Sequence, residues 1–203
     1  SCFRICGTMV DMPLNNHKFL GLRPSGQWFR GNNIGCAADY LARIKETNAP
    51  DLVEVHSRCH IAAYIKKRRP DLRVSLYLHN DPRDMKGGKS VSARKALLRN
   101  MAGIICVSNY IRDCFLDGLD IDDALAAKIG VARNGAQRWL ANQPAKYPVI
   151  LIAGRIVPEK GILECAEALA AVLPNHPDWQ LVIAGAKRFE AATHSNYEEK
   201  ISK

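Results

Sequence analysis

Short apolar runs rich in β-branched residues recur along this chain, each followed by a longer stretch in which apolar side chains return every three or four positions. The runs predict strands at 52–56, 73–79, 103–107 and 128–132, the last closed by the turn dipeptide Asn134-Gly135. The longer spacing predicts helices near 34–47, 58–69, 91–101 and 109–117. Strands that alternate with helices require crossover connections, so the pattern predicts a mostly parallel, doubly wound α/β domain.

Around Gln143-Pro144-Ala145-Lys146-Tyr147-Pro148 the pattern pauses, and a second unit begins. It consists of an apolar strand at 149–153, the loop Gly154-Arg155-Ile156-Val157-Pro158-Glu159-Lys160-Gly161, a helix at 162–173 ending before Pro174, and a strand at 179–185. The organisation expected is therefore a first domain over 1–142, a linker at 143–148 and the start of a second domain over 149–203. Two parallel strands are too few to make a covered sheet, so the second unit reads as part of a domain cut short.

Composition narrows the class. With 47% hydrophobic and 24% charged residues the chain is of ordinary globular make-up. No apolar run reaches the roughly 18–20 residues of a membrane span, and Ser1-Cys2-Phe3-Arg4 does not open a signal peptide. Seven cysteines without a C-x-x-C pair read as reduced core thiols. Together these features predict a soluble cytoplasmic protein. The net charge of +9 sits entirely in residues 1–140, which hold 22 Lys+Arg against 13 Asp+Glu. Such a basic face attracts anionic lipid, nucleic acid or a phosphorylated substrate. The plainer reading of Lys66-Lys67-Arg68-Arg69 is a helix C-terminus stopped by Pro70, where cations suit the dipole. No aromatics are interleaved with the basic residues as on a single-strand-binding surface, so nucleic acid is not expected as a partner.

Ligands of doubly wound sheets bind beyond the carboxyl ends of the strands. Those ends carry His56, His79-Asn80-Asp81, Ser108-Asn109, Asn134-Gly135 and the loop 154–161. In that loop Gly154 frees the backbone at the strand exit, Pro158 suits a first helical turn, and Arg155 and Lys160 add two cations. Backbone donors, helix dipole and paired cations describe an anion site suited to a diphosphate, against the alternative of a plain strand–helix turn.

The loop 154–161, together with Leu-Val-Ile-Ala-Gly at 181–185, resembles the opening of the nucleotide-sugar domain of family 4 retaining glycosyltransferases. Pro-Asp-Leu-Val-Glu-Val-His at 50–56, Leu-His-Asn-Asp-Pro at 78–82, Ile-Ile-Cys-Val-Ser-Asn-Tyr at 104–110 and Val-Ala-Arg-Asn-Gly at 131–135 fit the same family in the same order. The resemblance implies a GT-B fold, in which two Rossmann-like domains face each other across the reaction cleft. It implies sugar transfer from a nucleotide-sugar donor to a glycan or lipid-linked acceptor, with retention of configuration and no metal or other cofactor. By the same resemblance Gly154, Arg155, Lys160 and Gly161 hold the donor diphosphate, and His79 is the catalytic histidine near sugar and acceptor. His56, Asn80, Asp81 and Ser108 are further cleft candidates, and peripheral contact with an anionic membrane fits a lipid-linked acceptor. Against the family pattern, the first strand with its Gly-rich loop and the later Glu-x7-Glu motif are not found, so the resemblance covers a middle piece. Two other readings remain open, a non-catalytic basic binding module and a nucleotide-sugar epimerase of the same fold.

Three further signals weigh little. Asp120-Ile121-Asp122 has the D-x-D form of a metal site but lies between a helix and a strand, and reads better as a turn or helix cap. His56, Cys59 and His60 lack a fourth zinc ligand nearby. Gly87-Gly88-Lys89-Ser90 lacks the first glycine of a phosphate loop, since position 83 is Arg83, and reads as a flexible loop bordering the acceptor side.

Overall fold

The computed structural model describes residues 3–7, 17–21, 31–44, 49–136 and 145–185, with Tyr197 and Ile201. The chain divides into two compact units, Ser1–Ala136 and Gln137–Lys203. In the first, strands β3 (Val53–His56), β4 (Val74–Leu78), β5 (Gly103–Cys106) and β6 (Ile129–Val131) form a parallel sheet in that order. Helices α2 (Cys59–Arg68), α3 (Val91–Asn100) and α4 (Asn109–Leu116) provide the crossovers, and a short α5 (Asp123–Ala126) precedes β6. The α/β class with a parallel sheet read from the alternation is the class observed, and it is consistent with the Rossmann-like domains that the resemblance implies.

Strand register decides which face is core. Val53 lies opposite Val74, Val55 opposite Leu76, Leu76 opposite Ile104, and Leu78 opposite Cys106. These apolar positions share one face and are buried with Ala62 and Ile65 of α2, Leu97 and Leu98 of α3, and Ile111 and Phe115 of α4. The alternate positions Glu54, His56, Ser75 and Tyr77 fall on the opposite face, because successive side chains of a strand point to opposite sides. Helices α3, α4 and α5 each start at a side chain that accepts from an orphan N–H group of the first turn. Ser90 accepts from Ala93 N–H at 3.2 Å, Ser108 from Ile111 N–H at 3.2 Å, and Asp122 from Leu125 N–H at 2.8 Å. The helix-cap reading of Asp120-Ile121-Asp122 is thus the one realised, through Asp122.

The basic run closes α2. Lys66 Nζ donates to the carbonyls of Pro70 (2.7 Å) and Leu72 (2.9 Å), Arg69 forms a two-pronged pair with Asp71, and Arg68 lies 5.4 Å over the Tyr64 ring. Cations at a helix end turning toward carbonyls and an adjacent carboxylate are what the C-terminal dipole favours.

Differences from the sequence reading are local. The first helix, α1, runs Gly31–Arg43 rather than 34–47, and residues 45–47 lie outside the described residues. A parallel pair, β1 (Phe3–Gly7) with β2 (His17–Gly21), was not foreseen, because five-residue segments interrupted by Arg or Lys carry little strand signal. The Gly-Gly-Lys-Ser stretch is a packed turn rather than a loose loop. Lys86 O accepts from His60 N–H at the start of α2, and Gly88 and Lys89 carbonyls accept from the buried Arg94.

In the second unit, β7 (Val149–Ala153) and β8 (Gln180–Ala184) pair in parallel, joined by α6 (Ile162–Val172). The predicted helix end at 173 gives way to a 3-10 turn, Leu173–Asn175, because Pro174 cannot continue an α-helix. Ile150, Ile152, Leu181 and Ile183 lie on one face of the pair and are half-buried, whereas Leu151 and Val182 on the other face are exposed.

Candidate functional site

In the first unit the strand ends assemble a polar and aromatic ladder on the face opposite the core. His56 stacks on Tyr77 with ring centroids 5.2 Å apart and planes 5° from parallel, and Tyr77 stacks on His79 at 4.6 Å. His56 Nε2 lies 2.8 Å from Glu54 Oε1, and His56 Nδ1 lies 2.9 Å from His79 Nε2. The Tyr77 hydroxyl donates to the Ala132 carbonyl just beyond β6. Ser57, directly after β3, adopts φ +46°, a left-handed conformation uncommon for a non-glycine residue. That bend lets its N–H donate to Tyr77 O (2.8 Å) while its Oγ accepts from His79 N–H (3.1 Å), which fixes the exit of β4.

The structure therefore brings together His56 and His79, two of the sequence candidates, and adds Glu54, Ser57 and Tyr77. Period-two alternation carried the signal for these: Glu54 and His56 on one strand, and Ser75, Tyr77 and His79 on the next, are polar or amphipathic at every second position. Ser75 is 5% exposed and its hydroxyl finds no partner among the described residues.

Asp81 and Ser108 have structural duties. Ser108 spends its hydroxyl on the α4 cap. Asp81 caps the 3-10 turn Pro82–Asp84 by accepting from Arg83 N–H (2.9 Å), and also accepts from the Arg83 guanidinium (2.7 Å). Arg83 reaches on to Asp117 at 3.0 Å, tying the β4 exit to the end of α4. Asn80 is exposed in the bend after His79. The Arg83 hydrogen bonds hold the Asp81 carboxyl down at about 2, against an ordinary 3.8. A folded-state value below the unfolded one stabilises the protein above the unfolded value, and that contribution is lost as pH falls through the folded one. Asp81→Asn should therefore melt below wild type at neutral pH, and the gap should close between about pH 4 and about pH 2. Thermal melts at pH 7, 4 and 2 check this.

The three residues weighed for zinc do not share a site. Cys59 is fully buried with its thiol 3.9 Å from Met85 sulfur, and burial pushes the thiol up to about 11. His60 lies below the ordinary histidine value, first through burial and then through Lys86. Both belong to the packing at the start of α2.

In the second unit the loop after β7 is built by backbone contacts. Gly154 N–H donates to Ala184 O at 3.0 Å, joining the ends of the two strands. Pro158 opens a separate 3-10 turn, Pro158–Lys160, rather than the helix itself. The chain then passes through Gly161 at φ +62°, ψ +28°, and α6 starts at Ile162. A left-handed N-cap admits glycine at little cost, and Arg155 and Lys160, in the loop ahead of the helix, are both exposed. Val157 and Ile162 are buried and anchor the loop from beneath, while the Tyr197 hydroxyl accepts from Leu163 N–H at 3.1 Å. Exposed cations in a loop that leads into a helix N-terminus can neutralise and orient an anion.

Among the described residues no cluster of three or more His, Cys, Asp or Glu side chains is arranged to hold a metal ion, and no helix is long and apolar enough to cross a membrane. Comparison with known proteins gives a consistent result along the chain. The profile described as Glycosyltransferase Family 4 matches residues 9–137, and that described as Glycosyl transferases group 1 matches residues 135–203. The Bacillus subtilis (strain 168) protein named "Putative glycosyltransferase YtcC" is 27% identical over 164 residues, covering 72% of this chain and 40% of that protein. The chain thus spans less than half the length of this curated relative.

Proposed function

The chain belongs to glycosyltransferase family 4, and from that premise we propose that the protein transfers a sugar from a nucleotide-sugar donor to a hydroxyl of a glycan or lipid-linked acceptor, retaining the anomeric configuration. The observation that carries the reading is the loop of the second unit, which holds exposed Arg155 and Lys160 and passes through Gly161 directly into the N-terminus of α6. A diphosphate needs cations and N–H donors at a fixed separation, and this loop offers both on a backbone clamped at Gly154. As the sugar–phosphate bond breaks, negative charge grows on the leaving diphosphate, and Arg155 and Lys160 stabilise it there. Two cations in that role make a metal unnecessary. His79, held at the end of β4, hydrogen-bonds the sugar or positions the acceptor hydroxyl. The acceptor attacks from the face that the diphosphate leaves, which preserves configuration.

The positive surplus of residues 1–140 supports peripheral contact with an anionic membrane on the cytoplasmic side, where a lipid-linked acceptor would be met. The bare basic-module alternative loses ground because Lys66, Arg68 and Arg69 already have partners at the end of α2.

Calorimetric titration of the chain with UDP, GDP and ADP tests the donor site. One of the three should bind, and Arg155→Ala combined with Lys160→Ala should weaken it by about 100-fold or more, since each charge-assisted contact is worth roughly 1.5–3 kcal/mol. A folded chain that binds none of them would rule out the loop as a donor site.

A further inference from the structure

The ladder at the ends of β3 and β4 has an order that its hydrogen-bonding chemistry determines. A carboxylate oxygen only accepts, so Glu54 Oε1, 2.8 Å from His56 Nε2, requires the proton of neutral His56 to be on Nε2. His56 Nδ1 is then a lone pair. His79 Nε2 lies 2.9 Å from it and must be the donor. The remaining ring nitrogen, His79 Nδ1, is left as an acceptor.

We propose that Glu54 and His56 are positioning residues that fix His79 in its Nε2–H tautomer and so present Nδ1 as a hydrogen-bond acceptor for a hydroxyl of the sugar or of the incoming acceptor. The role toward a sugar hydroxyl rests on the transferase reading above; the tautomer itself does not. Two further residues hold the ring in place. Tyr77 is stacked against both histidines and anchored through its hydroxyl to Ala132. Ser57 takes up the main-chain N–H of His79. Glu54, His56 and Tyr77 lie on the sheet face away from the apolar core cluster.

The relay makes a prediction that stacking alone does not. In Glu54→Lys the carboxylate becomes an ammonium, which only donates. His56 Nε2 must then accept, its Nδ1 must carry the proton, and His79 must shift toward the Nδ1–H tautomer. Ring 15N shifts from long-range 1H–15N spectra of the labelled chain, taken at about pH 8 where histidine is largely neutral, report each tautomer. An N–N coupling across the His79–His56 hydrogen bond reports the bond directly. Wild type should show that coupling with the proton on His79 Nε2. Glu54→Lys should move His79 mostly to Nδ1–H, and Glu54→Gln, whose amide both donates and accepts, should give a mixture of tautomers. A missing coupling in wild type, or a His79 tautomer unchanged in both variants, would overturn the proposal. No nucleotide or sugar enters the measurement, so the relay can fail while the diphosphate site stands, and the reverse.

Discussion

Replacing Arg94 with leucine is expected to destabilise the first unit by about 4 kcal/mol, a large part of what a domain of this size has to lose. Arg94 is 2% exposed, yet its hydrogen bonds end on main-chain carbonyls: Phe115 O from Nε (2.8 Å), Gly88 O (3.2 Å) and Lys89 O (3.0 Å) from Nη1, and Asp117 O from Nη2. Two of those carbonyls close α4, where the helix dipole leaves partial negative charge, so the buried cation is stabilised without a carboxylate. Leucine would fill much of the volume and leave four carbonyls with no donor at roughly 1–3 kcal/mol each, less whatever water recovers. Lysine at 94 should lie between wild type and leucine, because an ammonium cannot serve four acceptors spread over two segments. Urea unfolding followed by circular dichroism would measure both variants. An Arg94→Leu chain as stable as wild type would mean that the carbonyls find other donors and that Arg94 does not hold the 85–90 turn against α4.

Arg94 also shows where sequence reading stops. Its helix was legible from the spacing of Leu97 and Leu98, and so were the four strands of the sheet and their parallel sense, because each buried run was flanked by turn signals and a helical period. The helix period puts position 94 on the face of Leu97 and Leu98, but an arginine reads as a surface residue there, and only the carbonyls of 88–89 and of the α4 end show what it is buried for. The same holds for Asp81, whose place after a strand end suggested ligand contact, whereas Arg83, two residues on, binds its carboxylate. His79 was legible as a strand-end residue, but its coupling to His56 and Glu54 depends on the register of β3 against β4, a long-range fact that no local window contains. In the loop 154–161 the charges and glycines could be read directly, since their meaning is local. What could not be read was that Pro158 starts a turn of its own and that the helix waits for Gly161.

Gly185→Ala should damage the donor loop without touching any of its charged residues. A Cβ placed at 185 would fall 1.8 Å from the Gly154 carbonyl oxygen and 2.9 Å from its carbon. Those atoms are backbone, held by the Gly154 N–H bond to Ala184 O, so no side-chain rotation relieves the clash. Either the ends of β7 and β8 part or Gly154 moves, and Gly154 is the point from which Arg155, the 3-10 turn and Gly161 are hung. Overpacking of this kind costs about 1–3 kcal/mol or more, and all of it falls on a unit whose described sheet has two strands. The expected result is a lower melting temperature together with at least about a tenfold loss of nucleotide diphosphate affinity, the latter being roughly 1.4 kcal/mol in binding. Gly130→Ala is the control: a Cβ there meets nothing within 4 Å, so the exchange should leave nucleotide binding unchanged. If Gly185→Ala binds nucleotide as wild type does, the close approach of the two strand ends is not what shapes the loop. The grip on the diphosphate would then have to come from Arg155 and Lys160 alone, with their backbone free to adjust around the ligand.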